Sequence, residues 1–128
     1  MSRVVLDASA LLALLNQERG ADKLTPALLG EAVSSAVNLA EVQSKLVTAG
    51  LSPDDAWSAA AGVLREVVSF TSQQAKLTGS LASKTRTLGL SLGDRACLAL
   101  ALLLDAPVYT ADRPWKNLKL GVEIHVIR

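Results

Sequence analysis

A lone cysteine, a lone histidine, few aromatics and almost no net charge set the first limits on this 128-residue chain. The one cysteine, Cys97, excludes an internal disulfide framework and fits a reducing compartment. It lies in an apolar helical run, so a buried core position is expected. The one histidine, His125, alternates with Ile124 and Val126 in a strand-like segment and reads as structural. Its solitude argues against a serine or cysteine triad with a histidine base, and zinc hydrolase chemistry lacks its ligands. A formal net charge of +1 means that a polyanion would have to be held by a local patch or through a metal ion. No G-x-x-x-x-G-K-[ST] loop and no G-x-G-x-x-G turn is present, which removes the common nucleotide cradles. The longest apolar run, CLALALLL, is too short to span a bilayer. The chain opens on strand-like RVVLD without a basic leader, so a cytoplasmic protein with no membrane segment is expected.

Half of the residues are hydrophobic and only 3% are aromatic, so Leu, Val and Ala must build the core. The length suits one domain, residues 1–128, burying roughly two-thirds of its unfolded surface. The apolar surplus hints at a surface that covers a partner. Strands are expected at Arg3 to Leu6, Ala32 to Ala36, Glu66 to Phe70, Pro107 to Thr110 and Val122 to Ile127. Helices are expected over Ser9 to Asn16, over Ala21 to Leu29 (shaped or split by Pro26), and over Leu39 to Ala49, closed by Gly50. Further helices are expected from the Ser52 cap to about Leu64, over Ser72 to Leu88 and over Ser91 to Leu104, with a short turn at Trp115. The alternation predicts a three-layer α/β domain with a mainly parallel sheet.

Four acids fall at or near strand-to-helix junctions: Asp7, Glu41, Asp94 and Asp112. In a parallel α/β sheet such junctions gather on one rim, where ligands bind. Each acid also has a purely structural reading. Asp7 and Ser9 suit a helix N-cap, and Asn38 with Glu41 and Ser91 with Asp94 have capping-box spacing. Asp112 in the order Asp-Arg-Pro suits a turn. Capping and ligation are compatible, because a carboxylate at a helix N-terminus also gains from the helix dipole. Converging carboxylates repel, by roughly 4 kcal/mol per pair about 4 Å apart at an effective dielectric of 20. A divalent cation relieves that cost, and an all-oxygen donor set selects Mg²⁺, Mn²⁺ or Ca²⁺. Metal-dependent phosphodiester cleavage is the chemistry this pattern suggests.

With the acids in that order, the chain resembles PIN-domain nucleases of the VapC toxin type. The matching stretches are VVLDASALLALLNQE, SSAVNLAEVQSKL, GLSLGDRACLALAL and VYTADRPW. The resemblance implies a PIN-like sheet of four or five parallel strands flanked by helices, and an endoribonuclease dependent on Mg²⁺, with Mn²⁺ as substitute. By matching motif it makes Asp7, Glu41, Asp94 and Asp112 the catalytic and metal-binding acids, with Ser9 and Thr110 as auxiliary polar residues. It also implies a homodimer, an RNA substrate and neutralisation by a small antitoxin over the active groove. Where some relatives carry an acid near the start of the long helix, this chain has Gln73 and Gln74.

On this reading Asp7, Glu41 and Asp94 anchor the ion, and Asp112 holds metal-bound water or a second ion. Arg95, Arg113, Lys116 and Lys119 lie near the rim in sequence and are candidates for RNA phosphate contacts, or else solvated surface charge. A rival reading is a non-catalytic α/β binding module whose acids are only caps and turn residues. A receiver-type phosphotransfer domain fits less well, because Ser69-Phe70-Thr71 stands where its acceptor Asp would follow the third strand.

Overall fold

The β-branched and leucine-rich segment Val4–Leu6 forms β1, buried along its whole length as a central parallel strand should be. The computed structural model describes residues 2–128. After β1 come α1 (Ala8–Leu15), a 3₁₀ turn at Ala21–Lys23, α2 (Pro26–Leu29), β2 (Ala32–Ser35), α3 (Ala36–Thr48) and α4 (Pro53–Gly62). The second half adds β3 (Glu66–Val68), α5 (Ser72–Ser80), a 3₁₀ turn at Arg86–Leu88, α6 (Leu92–Leu104) and β4 (Val108–Thr110). A 3₁₀ turn at Arg113–Asn117 and β5 (Ile124–Val126) complete it.

The five strands lie in the order β3-β2-β1-β4-β5, and every pairing is parallel. The chain builds outward from β1 to β3, then returns to the opposite side of β1 to lay down β4. The sheet order therefore reverses between β1 and β4. Strand alternation divides the core. Val4, Leu6 and Ala32 face one layer, with residues of α1, α3 and α4. Val5, Val33 and Val108 face the other, with α6 and the fully buried Trp115. These are the three layers expected.

One expected alternative is settled and two local expectations change. Pro26 splits the segment after Ala21: Thr25 caps α2 by accepting from Leu28 N at 3.2 Å, leaving a separate 3₁₀ turn before it. The long helix expected over Ser72 to Leu88 ends at Ser80. Near that end the Ser80 hydroxyl donates to Leu77 O at 2.7 Å and the Thr85 hydroxyl to Leu81 O at 2.9 Å, side-chain bonds that compete with the helical ladder. Helix α3 begins at Ala36, capped by Ser35, so Asn38 is not a cap residue. Cys97 is fully buried, as expected. His125 pairs with Glu123 at 3.1 Å and stacks on Tyr109, with ring centroids 4.6 Å apart, away from the acids described next. Among the described residues no helix is long and apolar enough to cross a membrane.

Candidate active site

At the point where the sheet order reverses, Asp7 follows directly on β1 and the neighbouring β4 ends in Thr110. A crevice opens there in such folds because the helices leaving the two strands diverge to opposite faces. Asp7 is 2% exposed. One carboxylate oxygen accepts from Ala10 N at 2.8 Å, capping α1, and from the Ser9 hydroxyl at 2.8 Å. The other accepts from the Thr110 hydroxyl at 2.6 Å. Ser9 Oγ in turn accepts from Ala111 N at 2.9 Å, and Thr110 Oγ1 from Asp112 N at 3.0 Å. The two auxiliary hydroxyls thus fix both the Asp7 rotamer and the backbone that presents Asp112. Burial pushes the Asp7 carboxyl up to about 6; the bonds from Thr110, Ala10 and Ser9 oppose the rise, and the nearby Asp94 charge adds to it.

Glu41 arrives from α3 and Asp94 from the first turn of α6. Asn38, buried inside α3, donates from one Nδ2 to Glu41 Oε1 at 2.9 Å and to Gly93 O at 3.0 Å, locking the two helices together beneath the acids. A β-carbon on Gly93 would collide with both carboxylate oxygens of Glu41. Glycine here admits the carboxylate over the start of α6. Asp94 completes the expected capping box, with Ser91 N donating to Oδ2 at 3.0 Å and Asp94 N to the Ser91 hydroxyl at 3.1 Å. Asp112 precedes the 3₁₀ turn at Arg113–Asn117, and its side chain makes no cap bond.

All four acids and Ser9 line one cleft of about 550 Å³. Beneath it the Cys97 thiol is pushed well above its ordinary range by burial and then by the charges of Asp7, Asp94 and Glu41, which makes it an inert core group. The donor set is carboxylate and hydroxyl oxygen only, the chemistry that suits Mg²⁺ or Mn²⁺. Among the described residues no group of three or more acidic, histidine or cysteine side chains is drawn together closely enough to hold a metal ion.

Of the basic residues nominated from sequence, Arg95, Arg113, Lys116 and Lys119 are not among the residues lining this cleft. The Arg95 guanidinium instead donates to Thr78 O at 3.0 Å. Gln74, buried, braces the start of α5 by donating to Ser69 O at 2.9 Å, while Gln73 is exposed. Sequence reasoning missed Glu18, Lys45 and Arg128, all of which line the cleft. Lys45 stands one helical turn after Glu41, a spacing that could have flagged it. Arg128 gave no local signal. It reaches Glu18 in an ion pair, and Gly20, at φ +95°, lets the Ile127 carbonyl pass where a β-carbon would clash.

Solved structures share this architecture. A toxin–antitoxin complex from Klebsiella pneumoniae superposes with a TM-score of 0.77 at 17% identity, covering 98% of each chain. A DNA-bound VapBC from Salmonella typhimurium gives 0.75 at 17% identity over 100% of each chain. The sarcin-ricin loop cleaving toxin VapC20 of Mycobacterium tuberculosis gives 0.70 at 17% identity, over 91% of this chain and 96% of its own. None of the curated proteins compared with the chain matches it. A family model described as PIN domain matches residues 4–120 and takes in all four acids of the cleft, and the chain belongs to the PIN domain family.

Proposed function

We propose that this chain is a Mg²⁺-dependent endoribonuclease, with Mn²⁺ as substitute, that hydrolyses RNA phosphodiester bonds as the toxin of a toxin–antitoxin pair. The observation that carries the reading is the convergence of Asp7, Glu41, Asp94 and Asp112, from four separate stretches of chain, on one cleft where the sheet order reverses. Family membership supports nuclease chemistry. The toxin role is supported by structural relatives described as toxin–antitoxin complexes and by one described as an RNA-loop cleaving toxin. On the same reading the protein acts in the cytoplasm as a homodimer and is neutralised by a cognate antitoxin.

A bound Mg²⁺ would supply a water of lowered pKa and positive charge to offset the pentacovalent phosphate. Asp7, Glu41 and Asp94 would hold it. Asp7 is preorganised by three donors, so ligation costs it little rotamer freedom. Glu41 is aimed by Asn38. Asp112, whose carboxylate caps nothing, orients water at the rim.

The binding-module reading has an observation in its favour, since Asp7 and Asp94 both cap helices. Capping does not explain why an ionisable Asp is buried at position 7, where a serine would cap without the desolvation cost. Nor does it explain the placement of Glu41 over Gly93. The deciding experiment incubates purified protein with end-labelled cellular RNA in Mg²⁺, in Mn²⁺ and in EDTA, and sequences the new 5′ ends. Discrete cleavage that EDTA abolishes is expected. Intact RNA under all conditions would leave the binding module as the better account.

A further inference from the structure

We propose that Lys45 grips a backbone phosphate of the RNA strand in the cleft, positioning the strand against the acids; this rests on the nuclease reading above. Two basic side chains line the cleft, Lys45 and Arg128. They differ in how their charge is spent. Arg128 is paired with Glu18, and its Nε also donates to Arg19 O at 3.2 Å. Lys45 is exposed and has no ion-pair partner within 4.0 Å among the described residues.

That freedom is unusual for its position. A Glu four residues before a Lys on one helix face is the favoured orientation for an ion pair. Glu41 and Lys45 have that spacing in α3 and both line the cleft. Yet the Glu41 carboxylate is turned away, bonded to Asn38 Nδ2 and lying over Gly93. The geometry that assigns Glu41 to the acidic centre therefore leaves an unpaired ammonium one turn along the same wall. A polyanion entering this cleft meets Asp7, Glu18, Glu41, Asp94 and Asp112, which repel it. An uncommitted cation beside them offers a phosphate a direct charge-assisted hydrogen bond. The bland role for Lys45 is to complement the dipole in the last turn of α3. Such a role would affect folding and leave substrate handling alone.

The test uses the intact chain in Mg²⁺ or Mn²⁺, with steady-state cleavage of a short fluorogenic single-stranded RNA measured across a salt series. Lys45→Gln should raise KM roughly fivefold to tenfold with kcat within about twofold of the parent, the pattern of lost uniform binding. The slope of log(1/KM) against log[salt] should shrink by about 0.7, the increment for one phosphate contact on a single strand. Lys45→Arg should restore both. A Lys45→Gln enzyme with the parent's KM and salt slope would overturn the proposal and leave the nuclease reading standing. If the parent cleaves no RNA with either metal, that reading fails and this inference falls with it.

Discussion

The Glu41 carboxylate occupies the space that a β-carbon on residue 93 would fill. The contact joins α3 to the first turn of α6 across the candidate metal site, and it turns a glycine into a site residue. Gly93→Ala should leave the fold intact, because the displaced atoms belong to the far end of a flexible side chain. The substitution can even stabilise the helix start by about 0.4–1 kcal/mol, through reduced chain entropy when unfolded. The moved carboxylate should nevertheless cut RNA cleavage by on the order of 100-fold, the usual cost of misplacing a catalytic group by about 1 Å. A melting curve paired with a cleavage assay reads both effects. Wild-type cleavage by the alanine variant would remove Glu41 from the site.

Asp94→Asn separates capping from charge. Asn can still accept from Ser91 N, so the stability change should stay within about 1 kcal/mol. The lost charge should abolish metal-dependent cleavage. Near-parental turnover by the folded variant would show that Asp94 is a cap and nothing more.

A partner-covered surface is expected, but not along the whole of α1. Ala10, Leu11 and Ala13 are core, because that helix packs its inner stripe on the sheet. The apolar groups that remain outside include Val47, Leu51 and Trp57, each 38–39% exposed, on or next to α3 and α4. Leu12, Leu46 and Ala49 wall the acidic cleft. Expressed alone, the protein should be toxic or poorly soluble, and co-expression with its antitoxin should cure both. Light scattering should report a dimer; a soluble, harmless monomer at high concentration would count against both partners.

How much of this was legible depends on whether each cause was local. The Ser91–Asp94 box formed as its spacing predicts, since both partners lie within one turn. The matching Asn38–Glu41 spacing misled: β2 runs directly into α3, Ser35 takes the cap, and Asn38 is left inside the helix as a buried strut. The uninterrupted apolar run of Val4, Val5 and Leu6 marked a buried strand, and the strand is buried along its whole length. The hydrogen bond from Ser9 to Asp7 is local, but the one from Thr110 depends on β4 returning beside β1, a long-range pairing that spacing alone does not reveal. The Glu18–Arg128 pair at the cleft mouth is tertiary in origin and had no signature.

The raised pKa of Asp7 gives the metal-free protein a pH signature of defined sign. Unfolded, this carboxyl releases its proton near 3.8; folded, near 6. Between those values the folded chain holds a proton that the unfolded chain has lost, so stability falls as pH rises through the window and levels off above about 6. At about 1.4 kcal/mol per pH unit, the contribution lost is on the order of 3 kcal/mol. In EDTA the wild type should therefore lose stability relative to Asp7→Asn between about pH 4 and pH 6.5, because Asn keeps the cap on Ala10 N and has no charge to bury. Adding Mn²⁺ at pH 7 should reverse the loss in the wild type only, by about 2.7 kcal/mol at a hundredfold excess over Kd. Denaturant melts of both proteins across the window, with and without Mn²⁺, measure each part. Parallel pH profiles would show that Asp7 ionises without strain. Superimposable melts with and without Mn²⁺ would mean that the four acids of the cleft do not act as one cation site.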